Sequence, residues 1–91
     1  MRRAAKVDDN QDEIVGALRR VGVQVEVIGK PLDLLLCCMG DTSLMEVKNP
    51  DGKDEYTKAQ VEFIARWPGK IHVARSKEEA VAMVLGKEVM S

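Results

Sequence analysis

The stretch Pro31-Leu32-Asp33-Leu34-Leu35-Leu36-Cys37-Cys38-Met39-Gly40-Asp41-Thr42-Ser43-Leu44-Met45-Glu46-Val47-Lys48 decides the fold. Leu32–Met39 is apolar at every position but Asp33, the pattern of a strand covered on both faces. Gly40-Asp41-Thr42 carries turn chemistry and Ser43–Lys48 returns as a strand, so 32–48 reads as a β-hairpin. Asp33 is the one charge in the apolar strand, and an unpaired carboxylate there is costly enough to call for a compensating cation. Glu46 and Lys48 are two residues apart and share a face. An even-numbered loop turns Asp33 to that same face, and a two-residue loop at Gly40-Asp41 sets it directly opposite Lys48. Two carboxylates and an ammonium then converge. The group reads either as a buried ion-pair cluster or as a divalent-cation site. In the second reading both carboxylates hold the ion, and Lys48 orients an attacking water or meets the developing charge.

Outward from the hairpin, the punctuation is local and clear. Upstream, Asn10 is placed to cap a helix running to about Val21, with Asp12 and Glu13 favourable in its first turn. Its apolar face is Ile14, Val15, Ala17, Leu18 and Val21, and Gly22 ends it. Val23–Ile28 alternates as a half-buried edge strand until Gly29-Lys30-Pro31 breaks it. Downstream, Asn49-Pro50-Asp51-Gly52 is a loop, and Thr57 caps a helix over about Lys58–Trp67 that Pro68-Gly69 stops. Ile71–Ala74 is a short strand. Ser76 with Glu79 forms a capping box for a last helix to about Leu85, with Gly86 as its stop. The order α-β-β-β-α-β-α predicts an α/β domain with a mixed sheet flanked by helices. Residues 1–9 read as an N-terminal arm, 10–86 as the domain and 87–91 as a tail.

Two glutamines sit where helical periodicity calls for apolar residues. Gln60 falls within the arc of Val61, Phe63, Ile64 and Trp67, and Gln11 falls between Val15 and Leu18. Each must satisfy its amide, either on a backbone group or on the water and phosphate chemistry of a nearby site. Glu13 lies at the edge of the apolar face. His72 reads as a packed or surface residue. Phe63 and Trp67 read as helix-face core and not as base-stacking platforms, and Met39, Met45 and Met83 as core fillers.

Composition excludes several classes. A chain of 91 residues is one small domain, marginal as a monomer. With 45% apolar and 32% charged residues it has the composition of a globular domain rather than a disordered one. The apolar run Leu34–Met39 is far short of the ~20 residues of a membrane span. The basic N-terminus runs into Asp8 and Asp9 where a signal peptide needs its apolar stretch. A cytoplasmic location follows as the expectation. Cys37 and Cys38 are adjacent, point to opposite faces of a strand and read as small buried hydrophobes. A net charge of −1 argues against coating nucleic acid by charge alone.

Asp33 followed by Glu46-Val47-Lys48 resembles the PD-(D/E)xK nuclease signature. The whole chain resembles the short stand-alone form of the virus-type replication-repair nuclease (VRR-NUC) domain. The resemblance takes in Asp9-Asn10-Gln11 with Ile14, Val15, Leu18 and Gly22, the D…EVK hairpin, and Thr57, Gln60, Trp67 and Gly69. It continues through Val73, Ser76, Glu79 and Ala80. It departs at Leu32, which stands between Pro31 and Asp33 where the family has proline directly before the aspartate.

The resemblance implies a restriction-endonuclease-like fold. Asp33 and Glu46 would bind Mg²⁺ or Mn²⁺ with the Val47 carbonyl, Lys48 would assist the attacking water, and Gln60 would support the site. Glu13 or Gln11 would add a group from the first helix. Arg19, Arg20, Lys30, Lys53 and Lys58 are the candidate DNA contacts. The implied activity is metal-dependent hydrolysis of phosphodiesters in branched DNA by a homodimer, as in Holliday-junction resolvases. Two alternatives stay open: a monomeric flap or single-strand nuclease, and a non-catalytic DNA-binding module that keeps the fold.

Overall fold

The computed structural model describes residues 9–50 and 55–86. The expected tail 87–91, Lys53 and the arm before Asp9 lie outside the described residues. Seven elements follow in order: α1 (Asp9–Arg20), β1 (Gln24–Val27), β2 (Leu34–Cys38), β3 (Asp41–Val47), α2 (Lys58–Arg66), β4 (Lys70–Ala74) and α3 (Lys77–Leu85). The strands form one mixed sheet in the order β1-β2-β3-β4. The first three are antiparallel, and β4 runs parallel to β3 because α2 carries the chain back between them. This is the α/β domain with three helices and a mixed sheet that the element order predicts. No helix among the described residues is long and apolar enough to cross a membrane.

The core lies between one face of the sheet and the pair α1 and α3. Ile14, Val15 and Leu18 of α1 and Ala80 of α3 close over Val25, Leu34, Leu36, Met45, Val47 and Ala74. Ile14, Leu18, Leu34, Leu36 and Met45 are essentially inaccessible to water. Each contributes about 1.5–3 kcal/mol relative to leaving it exposed. Leu32, ahead of β2, is equally buried and anchors the strand's approach.

The hairpin turns one residue earlier than expected. Its two-residue loop is Met39-Gly40, with φ of 52° and 87°, and Cys38 pairs with Asp41. Positive φ at both central positions is the twist that two-residue hairpins need, and it brings β3 forward to Asp41. The register therefore pairs Leu34 with Met45. Continued by one step, it sets Asp33 across from Glu46, not Lys48.

Several side chains expected in the core stand outside it. Met39 is 96% exposed at the tip of its turn, Met83 is exposed, and only Met45 fills the core. Val21 is exposed because α1 ends at Arg20. Leu35 is 36% exposed, so β2 is closed on one face and open on part of the other. The reason is α2, which has no buried residue: Val61 is 54% and Trp67 37% exposed, and Phe63 and Ile64 are half-buried. The apolar arc of that helix is only partly covered, so Phe63 and Trp67 are not core. Cys37 and Cys38 are free and half-buried on the central strand β2.

Asn10 lies inside α1 rather than capping it, since the helix opens at Asp9. The caps of α2 and α3 fall where the sequence puts them. Thr57 and Gln60 complete a full capping box. At α3 only half of the expected box forms. Ser76 accepts from Glu79 N–H, while the Glu79 carboxylate takes the N–H of Arg75 at 2.7 Å. Gly86 closes α3 with φ 74°.

Candidate active site

Asp33 stands one residue ahead of β2, half-buried and held from both its backbone and its side chain. Its carbonyl accepts the N–H groups of Ile28 at 2.9 Å and Gly29 at 3.1 Å. Its Oδ2 accepts the Val47 N–H at 2.8 Å. The partner expected for this carboxylate was a cation, and a backbone donor on β3 fills that role. The N–H neutralises no charge, and the site's cation stands instead beside Glu46.

Glu46 follows on β3 between the core residues Met45 and Val47, which alternation turns to the opposite face. It is only 6% exposed. Its Oε2 accepts from Gln60 Nε2 at 3.3 Å and pairs with Lys48 Nζ at 3.5 Å. Its Oε1 is buried with no hydrogen-bond partner among the described residues. Burial pushes the Glu46 carboxyl above its ordinary value, and the Asp33 charge pushes the same way. The Lys48 ammonium and the Gln60 and Lys48 hydrogen bonds oppose that shift without cancelling it.

Lys48 continues the same face beyond the end of β3. Its Nζ donates to the Glu55 carbonyl at 2.8 Å and sits 4.4 Å from the centroid of the Tyr56 ring, within cation–π range. The ion pair is thus with Glu46, across two positions of one strand, and not with Asp33 across the hairpin. Gln60 joins α2 to the site. Its Oε1 accepts the Thr57 N–H at 3.0 Å, and its Nε2 also donates to the Pro31 carbonyl at 3.1 Å. The backbone reading of Gln60 is met by the Thr57 N–H and the Pro31 carbonyl, and the side chain also touches the buried carboxylate.

The other expected residues fall elsewhere. Gln11 is half-buried and makes no hydrogen bond among the described residues, and Glu13 is exposed. Neither has a bond to Asp33, Glu46, Lys48 or Gln60. The α1 residue that does tie in is Asn10, whose Nδ2 donates to the carbonyls of Lys48 at 2.9 Å and Arg75 at 3.2 Å. It pins the ends of β3 and β4 to the start of α1. Arg19 gives its guanidinium to the Val25 carbonyl at 2.9 Å, and Arg20 is exposed beside it. Both end the helix that covers the face opposite Glu46. Lys30 and Lys58 are exposed on the segments that flank the site, and Lys30 lines a cleft with Gly29, Pro31, Thr57, Ala59 and Gln60.

Tyr56 and the Glu55 carbonyl have no counterpart in the sequence reading, and Asn10, read there as a helix cap, ties β3 and β4 to α1 instead. Only the position of Tyr56 next to the cap residue Thr57 hinted that it is fixed.

Among the described residues, no three His, Cys, Asp or Glu side chains form a metal-binding group. Two carboxylates, one of them with a buried oxygen that has no partner, do suit a hard divalent cation that completes its shell with a backbone carbonyl and waters. The donor set is all oxygen, which fits Mg²⁺ or Mn²⁺ and not zinc. The chain matches no protein-family model, and no curated protein or solved structure is detectably similar to it.

Proposed function

We propose that this chain is a metal-dependent endodeoxyribonuclease of the PD-(D/E)xK type, close in plan to the VRR-NUC branch, that cuts branched DNA. The observation that carries the reading is Glu46: a buried carboxylate with one oxygen unpartnered among the described residues, beside Asp33 and paired with Lys48. A purely structural carboxylate in this position should satisfy both oxygens. Here one is held by Gln60 and Lys48 while the other is left for a ligand.

Asp33, Glu46 and the Val47 carbonyl would hold Mg²⁺ or Mn²⁺. When bound, such an ion supplies Lewis acidity toward a phosphodiester and its attacking water. The chain's own residues do the positioning. The Val47 N–H fixes one Asp33 oxygen, so the other has a defined direction. Gln60 fixes one Glu46 oxygen in the same way. Lys48 brings an ammonium whose other contacts, the Glu55 carbonyl and the Tyr56 ring, hold it beside Glu46. From there it can donate to an attacking water or to the charge developing on phosphate.

Cutting both strands of a junction needs two such sites, which a homodimer supplies. No element among the described residues is suited to reading base edges, so selectivity would rest on DNA shape.

The test is incubation of a labelled four-way junction and its linear duplex control with Mg²⁺ and with Mn²⁺, with Lys48→Ala alongside. Symmetrical paired nicks on the junction alone, absent in the variant, are the expected result. Binding without cleavage in either metal would instead establish a non-catalytic module. Light scattering checks the homodimer, and a monomer at working concentration removes the resolvase while leaving a flap nuclease.

A further inference from the structure

The C-terminal half of α2 presents an aromatic surface that the fold leaves open. Phe63 and Trp67 stack with ring centroids 5.2 Å apart and planes at 26°. Phe63 is half-buried and Trp67 is exposed, with no residue of α2 buried. The indole lies against Gly69, where a Cβ would stand 2.8 Å from Nε1, so it is the missing side chain that gives the ring its seat.

The rim of this surface is cationic. Arg66 stands 5.6 Å from the Phe63 ring, within cation–π range, and makes no ion pair among the described residues. Residues 63–77 contain no acid, while Lys70 shares its strand face with His72 and the core residue Ala74 and so lies on the side of the sheet away from α2. An aromatic face with a cation at its edge complements a base and its phosphate. A second copy of this chain set on the same face would bring Arg66 against its own like charge.

Resting on the nuclease reading, we propose that Phe63 and Trp67 form a stacking platform for an unpaired DNA base on the strand that enters the candidate site. Position along the helix supports this. Gln60 touches Glu46, and Trp67 follows seven residues later, roughly 10 Å along the axis at ~1.5 Å per residue. That separation is at most about three nucleotides, since ~3.4 Å is the axial spacing of a strand held in a duplex and an unpaired strand spans more per nucleotide. The stacked base therefore belongs within about three nucleotides of the phosphate at Asp33 and Glu46. Paired bases in an intact duplex have no face to offer, so the substrate class is DNA with unpaired nucleotides, such as a flap or an opened junction centre. Stacking of this kind tolerates any base, which matches a site with no base-reading element.

Trp67 is the only tryptophan of the chain, so its emission reports the platform directly. The experiment titrates the whole protein in EDTA with oligothymidylate and with a blunt duplex of equal length, and measures fluorescein-labelled oligothymidylate binding to Trp67→Leu and Trp67→Phe. Expected are quenching by more than about half with the single strand and by less than about a tenth with the duplex. Affinity should fall about tenfold in Trp67→Leu and stay within about threefold in Trp67→Phe.

Equal quenching by both nucleic acids, quenching by neither, or full affinity in Trp67→Leu each overturns the proposal. So does emission that changes with protein concentration alone, the sign of a contact between copies. If Trp67→Leu fails to fold, the titration of the unaltered protein decides. Restoring Mg²⁺ separates the two readings. Quenching without cleavage keeps the platform and sinks the nuclease, and cleavage without quenching does the reverse.

Discussion

Gln60 Nε2 stands 3.3 Å from Glu46 Oε2 while Gln60 Oε1 accepts the Thr57 N–H, so one side chain closes the first turn of α2 and holds the buried carboxylate. The helix cap and the site are mechanically one piece. Thr57→Ala should cost about 1 kcal/mol of stability through the lost cap and leave cleavage within about threefold. Gln60→Ala should cost about 1–2 kcal/mol and reduce kcat at least about tenfold. Urea unfolding and junction cleavage measured on both variants check this, and equal cleavage by the two would detach Gln60 from the chemistry.

Lys48→Met removes the cation 3.5 Å from Glu46 and leaves that carboxylate to the single Gln60 N–H. The Lys48 side chain keeps 13% of its exposure, so the loss should be about 2 kcal/mol, below the ~3–5 kcal/mol of a fully buried pair. Cleavage should fall at least about 100-fold while junction binding in a gel shift survives. Cleavage near the unaltered level would place the active centre elsewhere.

Glu46 is raised above its ordinary 4.5. Between 4.5 and its folded value the native protein holds more protons there than the unfolded chain, so stability falls as pH rises through that window. Glu46→Gln abolishes this slope. The stability difference, unaltered protein minus variant, should decline above pH 4.5 and level off once Glu46 is ionised. Urea midpoints at close pH steps follow it. The same variant should bind Mn²⁺ at least about tenfold more weakly by calorimetry.

His72 shifts the other way. Burial, then the Lys70 charge, holds it below its ordinary 6.5. Its contribution to stability is complete above that value and is lost as pH falls through the folded value. His72→Gln should therefore narrow the drop in melting temperature between pH 7.5 and pH 5.5. An unchanged drop would assign the acid sensitivity to other groups.

Met39 adopts φ 52° with 96% of its surface exposed, a left-handed conformation that a methionine occupies at a cost of about 1–2 kcal/mol. Asparagine accepts it more readily and is favoured with a following glycine in this turn. Met39→Asn should stabilise the protein by about 0.5–1 kcal/mol, raising Tm by a few degrees. Calorimetric melting measures this, with cleavage expected to stay constant.

Much of this arrangement was legible because it is written locally. Gly22, Pro68-Gly69, Thr57, Ser76 and Gly86 mark helix ends through chemistry that acts within one turn, and the helices begin and end within a residue or two of them. The shared face of Asp33 and Glu46 was also legible, because any even loop preserves it. The pairing was not. Turn composition favours Gly40-Asp41, and only the assembled sheet makes left-handed backbone at Met39 acceptable. Asn10 was read as a cap and Tyr56 escaped notice because their partners, the carbonyls of Lys48 and Arg75 and the ammonium of Lys48, are set by packing. The arc of α2 was misread for a related reason. An amphipathic pattern says that a face is apolar and does not say what covers it.

The Met39-Gly40 turn gives the hairpin a property that no single side chain has. Asp33 and Glu46 sit at the open end of the ladder, yet the number of residues in the turn decides whether they look at each other. One residue more or one fewer sends them to opposite sides of the sheet with every functional group still present. The turn acts as a counter: it can change its letters wherever positive φ is accepted, but not its length. Under the nuclease proposal, a single-codon insertion there would produce an inactive allele whose candidate-site composition is wild type.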